Sequence, residues 1–124
     1  MYRPYNPNPL QKSAEDCTVR AISLLTRSTW DKTYIKLCAA GFKLKNMPAS
    51  NEVWDWYLRV LGFKRSFLPD TCPECYTLYD FTRDYPVGEY LVGTGSHVVA
   101  VIDGDYYDTS DSGREVLLYY YERR

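Results

Sequence analysis

The strongest constraint on the fold is a change in hydrophobic pattern at Gly62. Before Gly62, apolar residues recur every three to four positions, which is the period of an amphipathic helix. After it, short runs rich in Val, Ile and Tyr alternate with turn residues, which is typical of strands. Helices followed by strands predict an α+β fold, with an N-terminal helical half packed on a C-terminal antiparallel β-sheet.

Three helices are predicted in the helical half. A Ser-x-x-Asp capping box at 13–16 predicts a first helix over 13–26. A second helix is expected to begin at a cap on Ser28 and to end at Gly41, because glycine is favoured just after a helix. The third is predicted over Ser50–Leu61.

The β half is marked by short apolar and aromatic runs between turn signals. The Asp103-Gly104 pair predicts a two-residue hairpin turn between two of these runs. A short helix or irregular segment is expected at 77–84. Strands are expected at 63–68, 89–93, 97–103, 105–109 and 115–122.

The length of 124 residues fits one domain with a single core. We expect one domain over 1–124, divided into an extended arm at 1–12, the helical half at 13–62 and the mainly β half at 63–124. The arm contains Pro4, Pro7 and Pro9, which bias the backbone away from helix.

Charge and hydropathy exclude several classes of function. The net charge is −1, with no basic run beyond Arg123-Arg124, so nucleic acid is not an expected partner. No apolar stretch approaches the roughly 20 residues of a membrane span, and the start MYRPYNPNPL has no signal-like apolar core. We therefore expect a cytoplasmic protein, without a membrane partner, whose four cysteines are free thiols.

Cys17 is placed by the predicted first helix in its first turn. The helix dipole and unpaired N–H groups favour a thiolate there, which is the nucleophilic form of cysteine. Asp16 beside it opposes the thiolate, so some cation must compensate. The alternative is that Cys17 is a small apolar residue of the core, because free cysteine is often buried.

His97 is the single histidine of the chain, and it begins a buried-looking strand after the loop Gly93–Ser96. Thiol catalysis needs an imidazole within reach of the sulfur and a third group that orients the ring. If the hairpin turn has two residues, Asp108 is a diagonal neighbour of His97 on the same face. A turn one residue longer would place Asp111 opposite His97 instead.

Acyl transfer through a thiol also needs hydrogen-bond donors at the developing oxyanion. The backbone N–H of Cys17 fits the first donor. The side-chain amide of Gln11, six residues upstream, fits the second.

A glutamine six residues before a helix-opening cysteine, followed far downstream by a strand-borne histidine and an acidic residue, resembles the papain-like cysteine peptidases. The run SHVVAVIDGDYYDTSDS is similar to small bacterial and phage members, such as bacteriocin-leader-processing peptidase domains. The resemblance implies Cys17 as nucleophile, His97 as base and acid, Asp108 as orienting group and Gln11 as oxyanion donor. The chain departs from plant and lysosomal members at Asp16 and Thr18.

The expected function is therefore a thiol hydrolase, a cysteine peptidase or isopeptidase acting on a peptide or protein substrate without cofactor or metal. A deamidase or acyltransferase could use the same triad. An inactive binding module, with tyrosine-rich strands as its contact surface, is the other alternative. In TCPECY, Cys72 and Cys75 have C-x-x-C spacing, which permits a redox pair or, with Cys38, part of a zinc site. The sequence leaves the oligomeric state open.

Overall fold

A computed structural model describes residues 1–123, and within them the chain forms the predicted α+β fold. Four helices pack with one six-stranded mixed sheet. The helices are α1 (Cys17–Leu25), α2 (Trp30–Leu44), α3 (Asn51–Val60) and α4 (Leu78–Asp84). The strands are β1 (Tyr2–Pro4), β2 (Phe63–Phe67), β3 (Glu89–Gly93), β4 (Val98–Ile102), β5 (Asp105–Asp108) and β6 (Tyr119–Arg123).

The sheet has the strand order β1-β5-β4-β3-β6-β2. Its inner pairs are antiparallel, but β1 pairs with β5 in parallel, so the prediction of a purely antiparallel sheet is wrong. The extended arm supplies this extra strand, with Tyr2 opposite Tyr106 and Pro4 opposite Asp108. Proline is tolerated there because β1 is an edge strand.

Helix α1 begins four residues later than the capping box at 13–16 predicts. Asp16 occupies the N-cap position but its side chain caps no backbone N–H, because Arg20 and Trp30 bind its carboxylate. Cys17 is consequently the first residue of the helix, and it lies in the first turn as predicted.

Helix α2 also differs from prediction at both ends. Thr29 caps it, in place of Ser28, and the helix continues through Gly41 to Leu44. A Cβ on Gly41 would lie 2.6 Å from the carbonyl oxygen of Asn46. The glycine therefore permits a close backbone approach inside the helix instead of ending it.

The hairpin between β4 and β5 has the predicted two-residue turn. Ile102 pairs with Asp105, and the turn residues Asp103 and Gly104 have φ values of 49° and 82°, as a tight hairpin of this kind requires. The last strand is shorter than expected, since 115–118 lies outside β6. The turn fixes the register that places Asp108 relative to His97.

The core has two parts, one on each face of the sheet. On one face α1 packs against the sheet and buries Ile22 and Leu25 with Leu91, Ala100 and Tyr121. The other face holds a second cluster, which includes Leu78, Phe81, Val92, Val99 and Tyr106. The first cluster holds α1 across the strand that follows His97.

Two further findings concern the cysteines and the membrane. Cys72 and Cys75 form a disulfide bond, so the prediction that all four cysteines are free is wrong for this pair. Cys17 and Cys38 are free. Within residues 1–123, no helix combines the length and the apolar character needed to cross a bilayer.

Candidate active site

Cys17 lines a cleft of about 520 Å³. The first turn of α1 and the loop 94–97 both line it. Its lining also includes Asn51 and Trp54 of α3 and Tyr119 of β6. Cys17 is half-buried, so part of its surface remains exposed.

His97 is held between Cys17 and Asp108. Its Nε2 lies 2.7 Å from Oδ2 of Asp108, which leaves Nδ1 as the ring nitrogen that faces the thiol. The imidazole lies close enough to the thiol of Cys17 for each group to shift the pKa of the other. A nucleophile, a base and a group that orients the base are thus in contact in the order that thiol catalysis requires.

The electrostatics of this contact favour a thiolate and an imidazolium. Burial raises the pKa of Cys17, but the hydrogen bonds from His97 and from the backbone of Val98, and the positive charge of His97, lower it overall. The hydrogen bond to Asp108, reinforced by the one to Cys17, raises the pKa of His97 to about 10. Both shifts favour the form of the pair in which the proton lies on the ring and the sulfur is a thiolate.

Asp108 is buried, with only 2% of its surface exposed. Besides His97, it accepts hydrogen bonds from the hydroxyl of Ser112 at 2.8 Å and from the backbone N–H of Thr109 at 2.7 Å. Burial raises its pKa, but the bonds from His97 and Ser112 outweigh that effect and lower it. The carboxylate is therefore ionised and fixed in position.

Arg20 is the cation that offsets the negative charge of Asp16 beside the thiol. Its guanidinium binds Asp16 one turn earlier and lies 3.2 Å from Oδ1 of Asp108. The other oxygen of Asp16 accepts a hydrogen bond of 2.9 Å from the indole of Trp30. A buried polar chain thus runs from α2 through α1 to Asp108 and His97.

Sequence reasoning expected a cation near Cys17 but did not name Arg20. The signal was present, because Asp16 and Arg20 are four residues apart and therefore neighbours on one helix face. That face also carries buried residues such as Val19 and Ser23, which distinguishes the pair from an ordinary exposed ion pair.

The structure does not bring Gln11 into the cleft. Its side-chain amide donates to the carbonyl oxygens of Asn6 and Asn8, at 3.0 and 2.9 Å, within its own loop. The backbone N–H of Cys17, at the start of α1, remains available as an oxyanion donor because the first N–H groups of a helix have no partner inside it.

Asp111 is also placed away from His97. It accepts hydrogen bonds from the hydroxyls of Tyr106 and Tyr79 and from the backbone N–H of Gly113. Of the two acidic residues considered from the sequence, Asp108 is the one that contacts the imidazole.

Neither the comparison with known proteins nor the arrangement of metal-ligating side chains assigns a family or a metal site. No protein-family model, curated protein or solved structure matches the chain. Within 1–123, no group of three or more His, Cys, Asp or Glu side chains is placed to hold a metal ion. The two sulfurs of the C-x-x-C pair are bonded to each other, so they are not thiolate ligands.

Proposed function

We propose that the chain is a thiol hydrolase of papain-like fold, a cysteine peptidase or isopeptidase that uses Cys17, His97 and Asp108. The observation that carries the proposal is the 2.7 Å contact between His97 Nε2 and Asp108, in a cleft that both His97 and Cys17 line. That order of three groups is the one that prepares a thiol to attack a carbonyl.

In the first half of the proposed reaction, the Cys17 thiolate attacks the carbonyl carbon of the scissile bond. A sulfur–carbon bond forms, and the carbonyl electrons move to the oxygen, where the backbone N–H of Cys17 stabilises the negative charge. The carbon–nitrogen bond then breaks, and the imidazolium of His97 gives its Nδ1 proton to the departing amine. A thioester and a neutral imidazole remain.

In the second half, the imidazole takes a proton from a water molecule, and the resulting hydroxide attacks the thioester. The sulfur–carbon bond breaks, the thiolate leaves, and the acyl group departs as a carboxylic acid. His97 keeps the proton, so the thiolate–imidazolium pair is restored. Asp108 stabilises the imidazolium at both stages without accepting its proton.

The layout of the chain supports the papain-like assignment in outline. The thiol opens a helix of the N-terminal half, and the imidazole precedes a strand of the sheet. Two features differ from the expectation: Gln11 bonds its own loop, and the arm adds a parallel strand. We therefore assign no oxyanion role to Gln11.

The thioacyl intermediate can be tested without knowing the natural substrate. p-Nitrophenyl acetate should acetylate Cys17, giving a burst of about one nitrophenolate per chain and a mass increase on the peptide that contains Cys17. Cys17→Ala should abolish the burst, while Cys38→Ala, which removes the other free thiol, should preserve it. Acetylation of Cys38 as fast as Cys17 would contradict the proposal and favour a non-catalytic binding module.

The type of bond is tested with a mixed peptide library. Incubation with the chain, followed by mass spectrometry, should reveal new termini that are missing in the Cys17→Ala control. Conversion of glutamine to glutamate without cleavage would identify a deamidase, and transfer of the acyl group to an added amine would identify an acyltransferase.

A further inference from the structure

Tyr119 reaches across the sheet toward the loop that carries His97. It lies on β6 opposite Gly93, the last residue of β3, and the loop 94–97 follows Gly93 directly. A Cβ added to Gly93 would lie 2.1 Å from Cζ and 2.5 Å from the hydroxyl oxygen of Tyr119. The hydroxyl end of the ring therefore occupies the space above Gly93 that any other residue would fill with its side chain.

The ring of Tyr119 lies on the face of the sheet that α1 covers. Leu91, two residues before Gly93, belongs to the core cluster beneath α1, and residues two apart in a strand share a face. Tyr119 and Cys17 both pack against that cluster. Gly93 is in turn paired with Val98 of β4, so one strand spacing of about 4.8 Å separates the backbone under the hydroxyl from β4.

The phenol of Tyr119 is in a position to interact with the reacting groups. Tyr119 lines the same cleft as Cys17 and His97. Burial is the main cause of a raised pKa at Tyr119, the positive charge of Arg65 opposes it, and a negative charge on Cys17 adds to it. The phenol therefore keeps its proton at neutral pH and can donate a hydrogen bond.

Neighbouring side chains hold the ring of Tyr119 in place. Trp54 stacks beside it, with ring centroids 6.3 Å apart and planes inclined by 24°. The guanidinium of Arg65 lies 4.5 Å from the centre of the Tyr119 ring, and Tyr121 contacts it edge-on at 5.9 Å. A donor that is already in position needs no reorganisation when charge develops in the transition state.

The hydroxyl of Tyr119 is not used by the fold. Within residues 1–123 it has no hydrogen-bond partner, although the hydroxyl of the nearby Tyr121 donates to Asp55. The amide of Gln11, which was expected to be the side-chain donor of the cleft, is bonded to its own loop. Tyr119 therefore offers the cleft a side-chain donor that Gln11 does not supply.

We propose that Tyr119 is the side-chain oxyanion donor of the reaction, and that its hydroxyl donates a hydrogen bond to the carbonyl oxygen as the Cys17 thiolate attacks. Together with the backbone N–H of Cys17 it binds the negative oxygen, and its proton stays on the phenol throughout. This inference rests on the proposed function, because it takes Cys17 as the reacting group.

The test separates reactions that develop an oxyanion from those that do not. Tyr119→Phe removes the hydroxyl and keeps the ring, so its packing is preserved. Nitrophenolate release from p-nitrophenyl acetate should fall about 10²–10³-fold, as for the loss of one oxyanion donor. Alkylation of Cys17 by iodoacetamide should keep its rate, because displacement of iodide from a saturated carbon develops no oxyanion.

Tyr120→Phe is the matched control for Tyr119→Phe. It removes a hydroxyl from the neighbouring position of β6, but the ring of Tyr120 packs in the core cluster on the opposite face of the sheet. Both the acylation rate and the alkylation rate of Cys17 should therefore stay unchanged.

The target of the donor is tested by changing the acceptor. In p-nitrophenyl thionoacetate a sulfur replaces the carbonyl oxygen, and attack by Cys17 releases nitrophenolate and leaves a dithioester. Sulfur is a weaker hydrogen-bond acceptor than oxygen, so the chain should prefer the oxygen ester more strongly than glutathione does. In Tyr119→Phe this preference should fall several-fold. The same preference in both chains would contradict the assignment.

The possible failures are distinguishable. An undiminished rate of nitrophenolate release in Tyr119→Phe would overturn the oxyanion role and leave the thiol hydrolase intact. Equal losses of acylation and alkylation would show that the hydroxyl acts on the thiol instead of the carbonyl oxygen, and an equal loss in Tyr120→Phe would trace the effect to the sheet; both would overturn the role. Absence of the burst from the unaltered chain would overturn the proposed function itself.

Discussion

The guanidinium of Arg20 lies 3.2 Å from the carboxylate of Asp108, and the two side chains are 9% and 2% exposed. This ion pair joins the helix that begins with Cys17 to the strand that ends with Asp108. Arg20 also binds Asp16 on the preceding turn. The position of the acid relative to the thiol is therefore set by a buried charge network as well as by the hairpin.

Removal of the Arg20 charge should strongly destabilise the chain. Arg20→Met leaves Asp16 and Asp108 buried without their cation, and breaking a buried pair in this way costs about 3–5 kcal/mol. The free energy of unfolding is measured by urea denaturation monitored by circular dichroism.

Arg59→Met provides the control for Arg20→Met. Arg59 also pairs with an aspartate four residues earlier, Asp55, but its side chain is 56% exposed. Its loss should destabilise the chain much less than the loss of Arg20, because exposed ion pairs contribute little to stability. Equal effects of the two substitutions would contradict the buried network.

Cys17 should be alkylated at a lower pH than an ordinary thiol. Its pKa is lowered by His97 and the Val98 backbone against the opposing effect of burial, so the thiolate is present above that lowered pKa and lost only below it. The rate with iodoacetamide should rise with pH through an inflection below about 8.5, the usual cysteine value. In His97→Gln the inflection should move upward, and free glutathione serves as the reference thiol.

Hydrolytic turnover should also fall at high pH. The departing amine needs the proton of the His97 imidazolium, whose pKa is raised to about 10 chiefly by Asp108. Activity against the substrates found in the peptide library should decline as the pH rises through about 10 while alkylation of Cys17 persists. Parallel loss of both would indicate unfolding and contradict this assignment.

The two acidic residues near the hairpin should have different effects on His97. Asp108→Asn removes the main cause of its raised pKa, which should fall from about 10 toward the ordinary value of 6.5. Asp111→Asn should leave it unchanged, because Asp111 binds tyrosine hydroxyls instead. His97 is the single histidine, so its ring proton resonance reports the titration directly. A drop caused by Asp111→Asn would reverse the assignment.

Gln11→Ala should change the acylation rate by less than about twofold. Both N–H groups of the Gln11 amide are donated to carbonyls of its own loop, so the substitution removes no donor from the cleft. Loss of a true oxyanion donor costs about 10²–10³ in rate. A loss of that size in nitrophenolate release would show that Gln11 turns toward the cleft during the reaction.

The contact between His97 and Asp108 could be predicted from the sequence, because a tight turn fixes the register of the two strands that it joins. Asp103-Gly104 determined the pairing of Ile102 with Asp105, and that pairing places position 108 diagonally from position 97. The periodicity of the helical half was equally informative, since burial on one helix face leaves a local pattern.

Features that depend on residues far away in the sequence could not be predicted in the same way. The arm becomes strand β1 only because β5 offers it a free edge, and nothing local in MYRPYNPNPL encodes that edge. The helix start predicted from the capping box at 13–16 was wrong, because the side chains of Arg20 and Trp30 bind the carboxylate of Asp16. Gln11 had the correct spacing, but its backbone has a φ of 52° and its amide bonds its own loop.

The parallel pairing of β1 with β5 bears on when Cys17 becomes reactive during synthesis and folding. Tyr5 donates its backbone N–H to the carbonyl of Asp108 at 2.9 Å, so the residues that follow β1 dock beside a group that is synthesised much later than they are. Contacts so distant in sequence form late in folding. A ribosome-bound chain that has not yet reached position 97 carries Cys17 without its imidazole, and its sulfur has the reactivity of an ordinary cysteine until the sheet assembles.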